Sequence, residues 1–220
     1  MALTFPLPVA EFQEKLRLTE VEIFPDQPRD LNRTAGGAQV SASLGDAVWR
    51  GTFVLSRGSR RTQNVAEIDA LFSVLDRPGS SFLIYDPSRS YPWADPDGSV
   101  LGAATPMISG IDVTDARILG LSNLPAGYVL TAGDLIGWQY GTDPVRYALH
   151  RVVETRTAGS LGNIPQLEVT PFIEKASLSG TAVQLIKPVI KAVMVPAPSY
   201  GTHRPVATGG RQFSFVQTVR

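Results

Sequence analysis

The sequence predicts a mainly β protein built from two β-rich blocks, the first carrying one amphipathic helix and the second inserted ahead of the first block's last strand. Three observations lead there. Between Leu124 and Pro188, short apolar-alternating runs are separated by Gly, Pro, Asn and Asp, as in a small barrel or sandwich. Over Asn64–Leu75 the apolar residues instead recur every three or four positions, the spacing of one helix face. The closing run Arg211–Val219 alternates again, and a lone terminal strand is most easily accommodated by pairing with the first block.

The elements follow in order. Val21–Phe24, Gln39–Ser43 and Val48–Leu55 are rich in β-branched and aromatic residues and read as strands. PDQPRD and TAGG between them read as turns, because Pro fixes φ and Gly admits positive φ. In the helix, Val65, Ile68, Leu71, Phe72 and Leu75 form the apolar face. Asn64 is placed to cap it with Glu67 reaching back, and Arg77-Pro78-Gly79 ends it. Ser81–Tyr85 is a short apolar strand, and DPSRSYPWADPDGS after it is too rich in Pro, Asp and Ser to be regular.

In the second block, Tyr147, Leu149, Arg151 and Val153 fall on one face of a strand and Ala148, His150 and Val152 on the other. Leu167, Val169 and Pro171 alternate in the same way with Glu168, Thr170 and Phe172. These two runs, joined through Thr157–Asn163, predict a hairpin with a longer loop. Ala197–Gly210 reads as a Pro/Gly/Thr-rich connector, and on its far side Phe213, Phe215, Gln217 and Val219 share a face. The expected units are therefore residues 1–100 plus 197–220, and 101–196 inserted between them.

Composition narrows the function classes. Hydrophobic residues make up 43% and charged residues 18% of the 220, which suits a folded chain with part of its surface covered by neighbours. The 20 basic and 20 acidic residues cancel, so no overall field draws the chain to nucleic acid or an anionic membrane. Residues 1–100 carry ten basic and thirteen acidic groups, whereas from residue 171 onward there are six basic residues and only Glu174 as an acid. The absence of cysteine removes disulfides, thiolate metal sites and cysteine nucleophiles. The segment MALTFPLPVAEF has no basic region before its apolar part and does not read as a secretory signal, and no apolar run approaches the ~20 residues of a membrane helix. Synthesis and assembly in the cytoplasm of a host cell are expected.

Few residues invite chemistry. His150 and His203 lie in different segments, neither in a nucleophile motif, and two histidines without cysteine do not make a usual zinc site. Asp95-Pro96-Asp97-Gly98 looks like the start of a calcium loop, but Pro106 stands where its closing glutamate belongs, so a turn is expected. The RGSRR cluster at Arg57–Arg61 lacks the interleaved aromatics of a nucleic-acid surface. Tyr91 and Trp93 in the irregular loop are the candidate glycan contacts, since each joins a flat apolar face to a polar handle, with packing under the loop or against another subunit as the alternative. No catalytic residue, metal ligand or cofactor is expected.

The order of elements carries a resemblance. A W-x-G-x-F-x-L strand (Trp49, Gly51, Phe53, Leu55), a short helix ending in Pro-Gly, and an S-F-x-x-Y-D strand (Ser81, Phe82, Tyr85, Asp86) resemble the N-terminal sandwich of tail proteins from long-tailed bacteriophages. The phrases at Leu130, Ala132, Gly133 and Asp134, at Leu149, Arg151 and Val152, and at Leu167, Val169 and Pro171 are similar to the inserted domain of distal tail proteins and related minor tail proteins. Gene transfer agents are built from the same parts. The resemblance implies a non-enzymatic virion protein: a β-sandwich closing into a homohexameric ring between the tail tube and the baseplate hub, with an inserted barrel-like, galectin- or OB-like domain facing outward. Its partners would be other copies, the tail tube protein and the hub, with neither membrane nor direct nucleic-acid recognition. The alternative is a carbohydrate-binding module of a tail adsorption apparatus. A cell-envelope hydrolase using Asp95 and Asp97 comes third, because two carboxylates can cleave glycosides without histidine.

Overall fold

The computed structural model describes residues 3–56, 58–59, 65–174, 177, 179–203 and 207–219. Its first strands are β1 (Leu18–Asp26), β2 (Arg29–Arg33), β3 (Gln39–Ser43), β4 (Val48–Leu55) and β5 (Gly58–Ser59), followed by the helix α1 (Val65–Leu75) and β6 (Phe82–Ile84). The second block holds β7 (Met107–Ile111), β8 (Ile118–Ser122), β9 (Val129–Leu130), β10 (Leu135–Tyr140), β11 (Arg146–Val152), β12 (Arg156–Thr157), β13 (Ile164–Thr170) and β14 (Val183–Gln184). The chain then returns through β15 (Ile190–Met194), β16 (Ser199–His203) and β17 (Ala207–Gln217). The fold is mainly β, as the alternation of the sequence predicts.

The first sheet runs β1-β4-β17-β15-β6, with β5 and β16 pairing off β17. The terminal strand does return: β17 lies antiparallel between β4 and β15, with Phe213 opposite Phe53 and Phe215 opposite Gly51. Two features depart from the sequence reading. The segment read as a connector is a hairpin, β16 pairing with β17, and its Gly and Thr residues gave no alternating signal. Strand β15 pairs in the first sheet although the expected inserted unit ran to residue 196, so the first sheet reclaims the chain earlier.

Helix α1 covers this sheet. All five residues of its predicted apolar face are buried, and Ile68, Leu71, Phe72 and Leu75 join the core formed by the sheet. Asn64, the expected cap, lies outside the described residues. The centre of this core is aromatic: Phe12, Phe53, Phe72, Phe82, Phe213 and Phe215 meet mostly edge to face, with ring centroids 4.8–6.4 Å apart. Edge-to-face contact places a positive ring edge on a negative ring face.

The second sheet runs β14-β10-β11-β13-β8-β7. It nearly closes into a barrel, because Met107 of β7 bridges Ala182 beside β14 and the Ile108 amide donates to the Thr181 carbonyl at 2.9 Å. Closure removes edges that would otherwise attract other strands. Within it β11 pairs β13 antiparallel, as the two alternating runs predict, and the intervening segment contributes β12, which pairs β9.

Strand β11 is buried on both faces. Ala148 and Val152 belong to the barrel core, whereas Leu149, with Leu135 of β10, belongs to the first core. The Trp49 indole N–H donates to the Leu149 carbonyl at 2.6 Å, and Gln217 accepts from the Trp49 amide while donating to the Tyr147 carbonyl. The two sheets therefore share a wall. Beyond β1 and β4 the chain projects as a separate hairpin, β2 with β3, every residue of which is exposed. Among the described residues, no helix is long and apolar enough to cross a membrane.

Candidate functional site

The irregular segment after β6 is held in place by its own acids. Asp86 accepts from the Ser88 amide and hydroxyl at 2.9 and 2.6 Å, capping the single 3-10 turn Pro87–Arg89. Asp95 is buried, and its two oxygens accept from the Val100 and Leu101 amides at 3.0 and 2.9 Å and from the Tyr128 hydroxyl at 3.3 Å. Burial, then the Asp95 charge, pushes the Tyr128 phenol upward. Asp97, in contrast, is exposed and accepts from the Ser99 amide at 3.0 Å; hydrogen bonding by the Ser99 side chain, and then by its amide, holds the Asp97 carboxyl below the usual range. Asp95–Gly98 is thus a turn, as expected, in which Asp97 bonds within the loop and Asp95 bonds both the loop and Tyr128 of the barrel. Among the described residues, no cluster of three or more His, Asp or Glu side chains is placed to hold a metal.

Asp134 joins this loop to the barrel. It is buried at the start of β10, and its oxygens accept from the Trp93 amide at 2.9 Å and the Thr131 amide at 2.7 Å. One carboxylate thereby pins two segments about forty residues apart in sequence. Between them lies a cleft of about 470 Å³ lined by Ser88, Arg89, Tyr91, Trp93 and Thr131–Asp134. Gly133 turns the chain there at φ +100°, a conformation that favours glycine.

The structure brings Tyr91 and Trp93 together on the walls of this cleft. Trp93 is 82% exposed and Tyr91 37%, so Trp93 is not packed beneath the loop. Arg89 is exposed and takes no part in the ion pairs formed among the described residues. Nearby Arg151 lies over the Trp49 ring at 5.3 Å, and burial followed by the Arg89 charge depresses its guanidinium. The sequence does not mark Arg89 or Thr131, and it marks Asp134 only within the phrase that carries the resemblance, not as a cleft residue. The only signal toward them was the A-G-D phrase at Ala132–Asp134, which carries a turn and not a ligand.

The remaining candidates lie elsewhere. His150 is fully buried, stacked on Trp138 with centroids 4.5 Å apart, and its Nδ1 lies 3.0 Å from the Pro171 carbonyl oxygen. Its Nε2 faces Glu174 at 3.6 Å. His203 ends β16, and its side chain lies outside the described residues, as do Arg57, Arg60 and Arg61 of the basic cluster. No family model matches the chain, and a comparison with curated proteins gives no match.

Proposed function

We propose that the chain is a structural component of a long-tailed phage-like particle, from a phage or a gene transfer agent, and forms the distal tail ring joining the tail tube to the baseplate hub. The observation that carries this reading is the projecting β2–β3 arm. An isolated two-stranded hairpin is marginal in water, and this one buries neither face. It nevertheless presents Leu31 and Val40, each more than half exposed, together with strand edges that pair with no other strand among the described residues. Such an arm gains its stabilising contacts from another chain, either by edge pairing or by apolar burial. In a closed homohexamer each copy's arm meets the same surface on its neighbour, which satisfies every edge without open-ended growth. The resemblance of the Trp49–Leu55 strand, the helix and the Ser81–Asp86 strand to phage tail proteins supports the same assignment, and the site residues are proposed to serve binding rather than catalysis. The location that follows is the virion tail, with assembly in the host cytoplasm.

Electron microscopy of intact tails checks this. A ring of this chain should appear at the junction of tube and hub, and replacing residues 28–44 by a short Gly-containing turn should abolish its incorporation while the isolated protein keeps its stability. Finding the chain as a single copy, or only at fibre tips, defeats the proposal.

A further inference from the structure

The cleft at Trp93 has no role in ring closure as argued above, yet it has the build of a binding site. Exposing most of an indole to water is unfavourable by the area it leaves unburied, and nothing in the loop relieves this. The loop is nevertheless rigidly specified: Asp134 fixes the Trp93 amide, Asp86 caps the turn before it, and Asp95 closes the turn after it. Because the backbone on either side is fixed, so is the point from which the indole projects. Preorganisation of that kind lowers the ordering cost of binding.

The lining identifies the class of occupant. A protein hot spot surrounds its tryptophan with further apolar residues that exclude water. Here the cleft around Trp93 is lined by Ser88, Thr131, Ala132 and Gly133, which are small or polar, and by the exposed Arg89. A flat apolar face beside donors and acceptors, in an open cleft of about 470 Å³, matches a pyranose ring, whose C–H face is apolar and whose edge carries hydroxyls. We propose that this cleft is a saccharide-binding subsite in which the sugar ring stacks on Trp93, Tyr91 bounds it, and Arg89 donates to its hydroxyl oxygens. Asp134, which is buried, positions the site by holding the Trp93 and Thr131 amides.

The protein carries its own reporter. Of the three tryptophans, Trp49 and Trp138 are each 1% exposed, so Trp93 alone is open to a soluble quencher. The full chain is titrated with glucose, galactose, rhamnose, N-acetylglucosamine and their short oligomers, following the emission maximum and quenching by acrylamide. At least one sugar should shift the emission to the blue and protect the quenchable fraction. Affinity for it, measured by calorimetry, should fall roughly tenfold or more in Trp93→Ala and several-fold in Arg89→Ala. Both side chains are exposed, so unchanged circular dichroism and melting temperature establish that the variants are folded. No protection by any of these sugars, or binding that survives Trp93→Ala, overturns the proposal. Protection of Trp93 on self-association without sugar also overturns it, in favour of a contact between copies. Because the titration uses the unassembled chain, it can fail while the ring assignment stands, and the reverse.

Discussion

At the scale of single residues, much of this fold depends on side chains whose polar atoms are fully committed. Asp95 is the clearest case, with one carboxylate oxygen on the Val100 amide and the other shared by the Leu101 amide and Tyr128 hydroxyl. Asp95→Asn would turn one of those acceptors into a donor facing another donor. The expected loss is about 1–3 kcal/mol in chemical denaturation, because a buried donor is left without its partner. Asp97→Asn, at an exposed position two residues on, should change stability by less than about 0.5 kcal/mol. Equal effects at the two positions would mean that the loop is not pinned as described. Gly51 shows another constraint, since a Cβ there would collide with the Glu22 carbonyl oxygen and crowd the Phe215 ring. The W-x-G-x-F-x-L spacing thus has a steric basis that only the β1 and β17 neighbours disclose. The cleft shows how far a sequence reaches: Tyr91 and Trp93 stand out as aromatics in a polar loop. Asp134 is not legible as part of the cleft, because its role comes from a contact spanning 41 positions, and Arg89 is placed there only by the fold of the loop.

At the scale of elements, α1 gives the sharpest expectation. Leu71 lies in the first core with Ile68, Phe72 and Leu75, so Leu71→Ala should cost about 2–5 kcal/mol. A loss of only a few tenths, measured by denaturation, would place that face against another subunit. The neighbouring Lys15–Glu67 pair at 2.7 Å is exposed on both sides and adds little by comparison. The helix and β4 are legible because their apolar periodicity is set by the core they face, whereas β3 faces no core and is read as a strand from its local composition alone. Strand β2 is not legible, since RDLNR is polar, follows Pro28 and faces no core; it is a strand only through pairing with β3. The β16–β17 extension escaped notice for a related reason, because its Gly- and Thr-rich residues carry little apolar pattern. Within β11 the alternation was read correctly, but not that both faces would be buried. Alternation signals two different faces, and here each meets a different core.

At the scale of the whole molecule, that shared strand determines how the two sheets respond to stress. Leu135 and Leu149 leave the barrel to complete the first core, and the Trp49 indole and Gln217 amide bond to β11 carbonyls from the other side. If the barrel unfolded alone, the first core would lose two leucines and the Trp49 N–H would lose its acceptor. Each loss costs on the order of 1–5 kcal/mol, comparable with the total stability of a small domain, roughly 5–15 kcal/mol. The two sheets are therefore expected to unfold in one cooperative transition despite having separate hydrophobic centres. The buried tryptophans allow the test, since Trp49 reports on the first core and Trp138 on the second. With Trp93→Phe as background, Trp138→Phe leaves Trp49 as the reporter and Trp49→Phe leaves Trp138. The Trp138→Phe protein, read by fluorescence for the first core and by far-ultraviolet circular dichroism for both sheets, should give one midpoint by both probes. The Trp49→Phe protein removes the indole bond to Leu149, so its midpoint should drop and its two probes should begin to separate. Separate midpoints before that bond is removed would show that β11 does not couple the sheets, and that the contacts across the shared wall are too weak to hold them together.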